Sequence, residues 1–290
     1  MGPVVFPEIV GPGFQSYWSA EMTHEEYHAD KTAINSSILK LFDISPAAVE
    51  AHYLTHETIE DEPEAEHFTL GRAIHAAALE PKRFVKIMTV APEFKGEGSR
   101  KAKKEWMDAQ PKGAMILKPK QHLQLTGMIN SILNYPDAVK LLNNGCPEIT
   151  GYYRDPDTGI KGKIRPDLWN EELGILLDIK SCVDSSPRVF SRKIFEYGYH
   201  LSMAMYSTGI QQITGNKPNY CIFLAIEKKP PYERALYVCT EMMLQKGFEE
   251  YKYRMEKFKY CLENKSWPYR QSGMDYLDLP EYAYRKEFEE

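Results

Sequence analysis

The chain has 290 residues, 43% apolar and 27% charged, with a formal net charge of −5. These ordinary globular proportions exclude wholesale disorder, a collagen-like or coiled-coil fibre, and a protein that coats nucleic acid non-specifically; a local basic groove stays open, because the residues lining a cleft set its field. Mean hydropathy is −0.49, and no apolar run approaches the roughly 20 residues of a bilayer span.

Residues 1–21 are rich in Pro and Gly and read as an extended arm; MGPVVFPEIVGPGF has no basic stretch leading into an apolar one, so no secretory signal is expected. Residues 22–290 are expected to form a single domain. It starts with a polar segment, MTHEEYHAD. Asn35 or Ser36 then caps a short helix that stops before Pro46, and a second helix runs from Pro46 to about Thr55. Residues 57–66 are an acidic loop, and FTLGRAIHAAALEP reads as an Ala-rich helix ending at Pro81. A charged loop over 92–105 leads into a helix, and further helices are expected at 120–134 and from Pro136.

Residues 148–181 change character and predict three strands joined by tight turns. Helix returns over 187–213. Two strands follow, NYCIFLAIE and ALYVCTE, separated by KKPPYE. A long amphipathic helix covers 241–265, and the tail is irregular and aromatic. The order predicts one α/β domain, with a mixed central sheet flanked by helices and a helical N-terminal layer. Five widely spaced cysteines without a CxxC pair argue against a disulfide framework or zinc ribbon, and fit reduced thiols in a cytosolic protein.

Chemistry concentrates in Arg165-Pro166-Asp167, ten residues, then Asp178-Ile179-Lys180. Strand alternation puts Ile175, Leu177 and Ile179 on a core face and Leu176, Asp178 and Lys180 on the other, with neighbouring same-face residues about 7 Å apart. A hairpin brings Asp167 beside Asp178. Two converging carboxylates make a hard oxygen site suited to Mg²⁺ or Mn²⁺. A lysine beside it can orient or deprotonate an attacking water, the parts needed to hydrolyse a phosphodiester. The bland reading is a surface hairpin with solvated charges. Glu148 opens the first predicted strand, as a third acid or a solvated one. His75 shares a helix face with Gly71, Arg72 and Leu79; a lone helical His is more often packed than ligating. Arg72 is placed to meet a phosphate or to sit in solvent. Arg100 and Lys101 begin the densest basic cluster, and Lys161, Lys163 and Arg165 alternate toward Asp167; such residues hold a DNA backbone or are simply solvated.

The Asp167…Asp178-x-Lys180 pattern resembles the PD-(D/E)xK nuclease motif. More broadly, MTHEEYHADKTAINSSILKLFDISPAAV, LGRAIHAAALEP, EKKPPYERALYVCT and SWPYRQSGMDYLDLPEYA resemble, in order, segments of the RecE-type (exonuclease VIII) phage and prophage exonucleases. The resemblance implies a restriction-endonuclease-like α/β core. It also implies a Mg²⁺-dependent exonuclease, with Mn²⁺ as a substitute, degrading double-stranded DNA ends 5′ to 3′ in phage-type recombination. Asp167, Asp178 and the Ile179 carbonyl become metal ligands and Lys180 the catalytic lysine. His75 becomes a further ligand and Glu148 an auxiliary acid. A ring-like homo-oligomer, a single-strand annealing partner and the bacterial cytoplasm are implied with it. One departure stands out: where RecB-type nucleases carry Q-x-x-x-Y, this chain has Ser202 and Tyr206, and Ser lacks the amide's paired donor and acceptor; His200 or Tyr199 is the nearest substitute. The four clustered cysteines of iron–sulfur relatives are absent. Alternatives are an endonuclease or single-strand nuclease of the same fold, or a catalytically silent DNA-binding subunit.

Overall fold

The computed structural model describes residues 5–19, 22–54, 66–94, 99–111, 113–271 and 273–285. The ends of the expected arm (1–4, 20 and 21) and all but the last residue of the expected acidic loop lie outside them.

In chain order the helices are α1 (His24–Ala29), α2 (Ser36–Lys40), α3 (Pro46–Leu54), α4 (Glu66–Leu79), α5 (Pro81–Ile87), α6 (Ser99–Asp108), α7 (Pro119–Leu133), α8 (Pro136–Leu142), α9 (Pro187–Glu196), α10 (Tyr199–Thr214) and α11 (Glu241–Asn264). The strands are β1 (Tyr17–Ser19), β2 (Met88–Val90), β3 (Met115–Leu117), β4 (Cys146–Pro147), β5 (Thr150–Arg154), β6 (Lys161–Ile164), β7 (Leu168–Asn170), β8 (Ile175–Cys182), β9 (Tyr220–Glu227) and β10 (Arg234–Val238). The polar segment before Asp30 is a helix. Thr23 caps it by accepting from the Glu26 N–H while Glu26 reaches back to the Thr23 N–H, a reciprocal capping box. Asn35 caps α2 through its side-chain oxygen and the Ile38 N–H, 3.0 Å.

The central sheet has the order β10-β9-β8-β7-β4. Only β8 and β9 run parallel, and α9 with α10 forms the crossover that a parallel pair requires. The sheet is therefore mixed and covered by helices on both faces, the α/β architecture expected from the order of elements.

Two expectations need correction. The stretch 148–181 holds four strands, not three, in two sheets. β5 and β6 belong with β1 in a small sheet, whereas β7 and β8 belong to the central one. Pro166 has no N–H to donate to a ladder, so the run IKGKIRPDLW breaks there and the chain passes from one sheet to the other. The second correction concerns β8, where residues 176–179 are buried on both faces and 180–182 are half-buried. Leu177 and Ile179 pack with α4, α5 and α7 through Ile74, Phe84 and Met128. Leu176 packs in the opposite core with Phe190, Leu201 and Phe258 of α9, α10 and α11. Asp178 is only 4% exposed. A strand buried on both faces reads as a hydrophobic run, ILLDI, whose single acid is an exception to its surroundings.

The arm's described residues lie along the domain. β1 pairs with β5, Ile9 bridges Ile160, and the Phe6 ring stacks on Trp267 at 5.7 Å.

Candidate active site

Glu148, Asp167 and Asp178 come from neighbouring chain segments at one end of the central sheet. β7 pairs with β8 with Leu168 opposite Leu177, so the next rung sets Asp167 beside Asp178. β4 pairs with β7 with Pro147 opposite Leu168, and the ladder continues as the Glu148 N–H donates to the Asp167 carbonyl at 3.0 Å. The Asp167 carboxylate also closes the hairpin: its Oδ2 accepts the Ile179 N–H at 2.5 Å.

Glu148 lies just before β5 rather than opening it, with φ of +49°. A left-handed conformation is unfavourable for a residue with a Cβ, by about 1 kcal/mol or more. The surroundings hold it there: Arg165 Nε donates to Glu148 Oε2 at 2.9 Å, and Arg165 Nη1 donates to Thr150 Oγ1 and to the Met22 carbonyl. Arg165 is thus a clamp on Glu148, with a side chain only 8% exposed.

His75, on α4, places Nδ1 3.3 Å from Asp167 Oδ1. Ligand atoms of His75, Glu148 and Asp167 all lie within 4.8 Å of one another. Asp178 stands beside this trio with its carboxylate against the Lys180 ammonium. Burial raises the Glu148 carboxyl above the usual range, and the neighbouring Asp167 charge adds to that. Burial raises Asp178 as well, despite Lys180. Burial pushes Asp167 the same way, but His75 and Lys180 outweigh it and its carboxyl ends up low. For His75, burial opposes the imidazolium and the Asp167 charge overrides it, so the net shift is upward. Burial likewise disfavours the Lys180 ammonium, and Asp178 more than restores it. Lys180 is therefore a proton-bearing donor in this arrangement, which fits orienting a water better than deprotonating one.

Asp178 is buried against Lys180, while His75, Glu148, Asp167 and Lys180 line a cleft of about 820 Å³. His24 and His28 of α1, Arg72 of α4 and Tyr199 and Tyr206 of α10 also line it. The Ser202 position contributes nothing to the lining. Its hydroxyl donates to Ser36 Oγ at 3.2 Å, tying α10 to α2. His200 also turns away, with Nδ1 3.2 Å from the Ile194 carbonyl. Tyr199 is the group beside the lysine: Lys180 Nζ lies 4.9 Å from its ring centroid, and Lys40 Nζ lies 5.6 Å from the same ring. Burial and the Lys180 charge push the Lys40 ammonium down to about 8. Arg100 and Lys101 project from α6, both exposed, and neither lines the cleft; Lys101 is 3.8 Å from Glu105.

Of the two substitutes that the sequence offered for the absent Gln, Tyr199 meets Lys180 and His200 does not; sequence reasoning missed the clamp role of Arg165 and the two histidines of α1. The T-x-x-E capping box at Thr23–Glu26 is the signal that would have found α1, and the spacing of His24 and His28 then puts them on one face.

The donor set suits a divalent cation. Glu148 and Asp167 are hard carboxylate donors, and the His75 nitrogen broadens the choice toward Mn²⁺.

A family model described as a PDDEXK-like domain of unknown function (DUF3799) matches residues 35–280. No curated protein sequence matches the chain. A crystal structure from Eubacterium rectale, provisionally described as an exonuclease, is similar over 94% of this chain and 96% of that one, with a TM-score of 0.57 and 14% identity.

Proposed function

The chain belongs to this PDDEXK-like family, and on that footing we propose that it is a divalent-metal-dependent deoxyribonuclease. The observation that carries the reading is the convergence of His75, Glu148, Asp167 and Lys180 on one cleft, with Asp178 buried against Lys180. Glu148, Asp167 and His75 would hold the cation, with Asp178 and the Ile179 carbonyl, expected as ligands from the sequence, adjoining them. Such a cation supplies a nucleophilic hydroxide at neutral pH and neutralises charge developing on the phosphate.

The protein's own residues do the rest. Lys180, fixed by Asp178 and by the Tyr199 ring, donates a hydrogen bond to the attacking water. The water oxygen bonds to phosphorus, the bond from phosphorus to O3′ breaks, and O3′ leaves with a proton, giving a 5′-phosphate product. Arg72 lines the cleft, and in this reading it pairs with a backbone phosphate. Arg100 and Lys101, outside the cleft, suit contact with a flanking duplex.

The finer reading is a RecE-type exonuclease acting 5′ to 3′ on duplex ends, with Mg²⁺, in phage-type recombination. It rests on the ordered sequence segments, and the likeness to a protein provisionally described as an exonuclease agrees with it. A ring-like homo-oligomer, an annealing partner and the bacterial cytoplasm belong to the same proposal.

Digestion of linear duplex DNA labelled at either end, with Mg²⁺ or EDTA and beside a closed circle, is the test. Early release of the 5′ label as mononucleotide, with the circle intact and EDTA silent, supports the full reading. Nicking of the circle points to an endonuclease, and absence of cleavage with either Mg²⁺ or Mn²⁺ refutes the enzyme.

A further inference from the structure

The cleft carries a second cluster of metal-ligating side chains. His24 and His28 lie one turn apart on α1, and their Nε2 atoms are 3.2 Å from each other. Their ring centroids are 4.3 Å apart at an interplanar angle of 53°. Two nitrogens bound at about 2.05 Å to a tetrahedral zinc are separated by about 3.3 Å, the edge of that tetrahedron. The observed spacing matches that edge.

The pair is held before any ligand arrives. The capping box of Thr23 and Glu26 fixes the start of α1. Tyr27, 6% exposed, packs its ring edge-on to His28 with centroids 5.3 Å apart and limits the rotation of the helix. The Lys163 ammonium donates to the Tyr27 and Asp30 carbonyls and so anchors the C-terminal end. A short helix fastened at both ends presents its two imidazoles with little rotation left to lose on binding, which is what preorganised ligands require.

We propose that His24 and His28 form a second cation site, selective for a borderline-soft transition metal such as Zn²⁺. Paired imidazoles suit zinc, copper and nickel, whereas Mg²⁺ prefers oxygen ligands and keeps its waters. The site is thus chemically distinct from the acid-rich cluster in the same cleft. Among the described residues no third protein ligand joins the pair. Both histidines line the cleft, so water or an oxygen of a bound phosphate would complete the coordination.

Equilibrium dialysis of the full chain against Zn²⁺ alone tests this, and it reads binding directly, so its outcome is independent of whether the protein cleaves DNA. Asp167→Asn, which cripples the acid-rich cluster, should still take up one zinc per chain. Adding His28→Ala to that variant should weaken this uptake more than about tenfold, a loss of at least roughly 1.4 kcal/mol. Co²⁺ in place of zinc should give tetrahedral visible bands in Asp167→Asn that disappear with His28→Ala. His24→Gln in the same background repeats the test should the alanine variant fail to fold. Zinc uptake unchanged by both substitutions overturns the proposal and leaves a simple ring-to-ring hydrogen bond.

Discussion

Removing Arg165 tests whether the left-handed Glu148 is held electrostatically. The two side chains meet at 2.9 Å and are 8% and 21% exposed. At an effective dielectric constant near 20, unit charges 4 Å apart attract by about 4 kcal/mol, and part of that is lost to desolvation. Arg165→Met also strands the Thr150 hydroxyl, so it should cost roughly 3 kcal/mol, a fall in Tm of roughly 6–12 °C. In a cycle with Glu148→Gln and the double variant, the coupling should be about 2 kcal/mol. Denaturant unfolding of all four proteins measures it. A second readout is the pH dependence of Mn²⁺ affinity. Glu148 must be ionised to bind a cation, and its carboxyl is already raised by burial. Losing the guanidinium raises it further, so affinity should fade at a higher pH than in wild type. A coupling below about 0.5 kcal/mol, the value of an exposed pair, with an unmoved pH profile, would refute the clamp.

Asp178→Asn should lower cleavage by at least about a hundredfold in single-turnover assays, since Lys180 loses the charge that fixes it; near-normal turnover removes Asp178 from the machinery. Gly247→Ala places a Cβ 2.3 Å from the His200 carbonyl oxygen, so α11 must move from α10. Despite a helix-propensity gain of about 1 kcal/mol, the net loss should be roughly 1–3 kcal/mol by urea titration, and a stabilised variant would contradict the close approach. Burial pushes the Lys163 ammonium down to about 8 against an unfolded value near 10.4. Below pH 8 the folded protein bears the full cost of that charge, and the cost fades as pH rises toward 10.4. The stability of wild type relative to Lys163→Met should therefore rise between those pH values, and a flat difference in urea unfolding from pH 7.5 to 10 would exclude it. Replacing His75 with Ala should reduce Mn²⁺-supported cleavage more than Mg²⁺-supported cleavage, because the lost nitrogen favours manganese; equal loss would remove it from the ligand set.

The acids of the site were legible because a two-residue period and a fixed gap translate directly into strand geometry. Asp167 beside Asp178 follows from a hairpin joining those segments in the register that sets Leu168 opposite Leu177. What β8 packs against was not legible. Leu176 alternates with Leu177 as it would on a half-exposed strand, and only the descent of α9 to α11 from more than ten residues away buries both faces. The break at Pro166 was visible in the sequence, yet reading it as a sheet change requires knowing that β1 arrives to pair with β5. Ser202 looked like a missing part for a similar reason. One position in a motif says nothing of the neighbouring turn, where Tyr199 already meets the lysine.

The course of residues 5–19 has a consequence for handling the protein. β5 is the middle strand of its small sheet only while β1 lies against it. Cutting the chain just before α1 would turn β5 into a bare edge with free N–H and C=O groups. The same cut would remove Phe6 from between Tyr53 and Trp267. An unpaired strand beside newly wetted aromatic rings is a template for self-association. A shortened chain should therefore be judged first by light scattering: a precipitate from it would report a lost chaperoning strand and carry no information about catalysis.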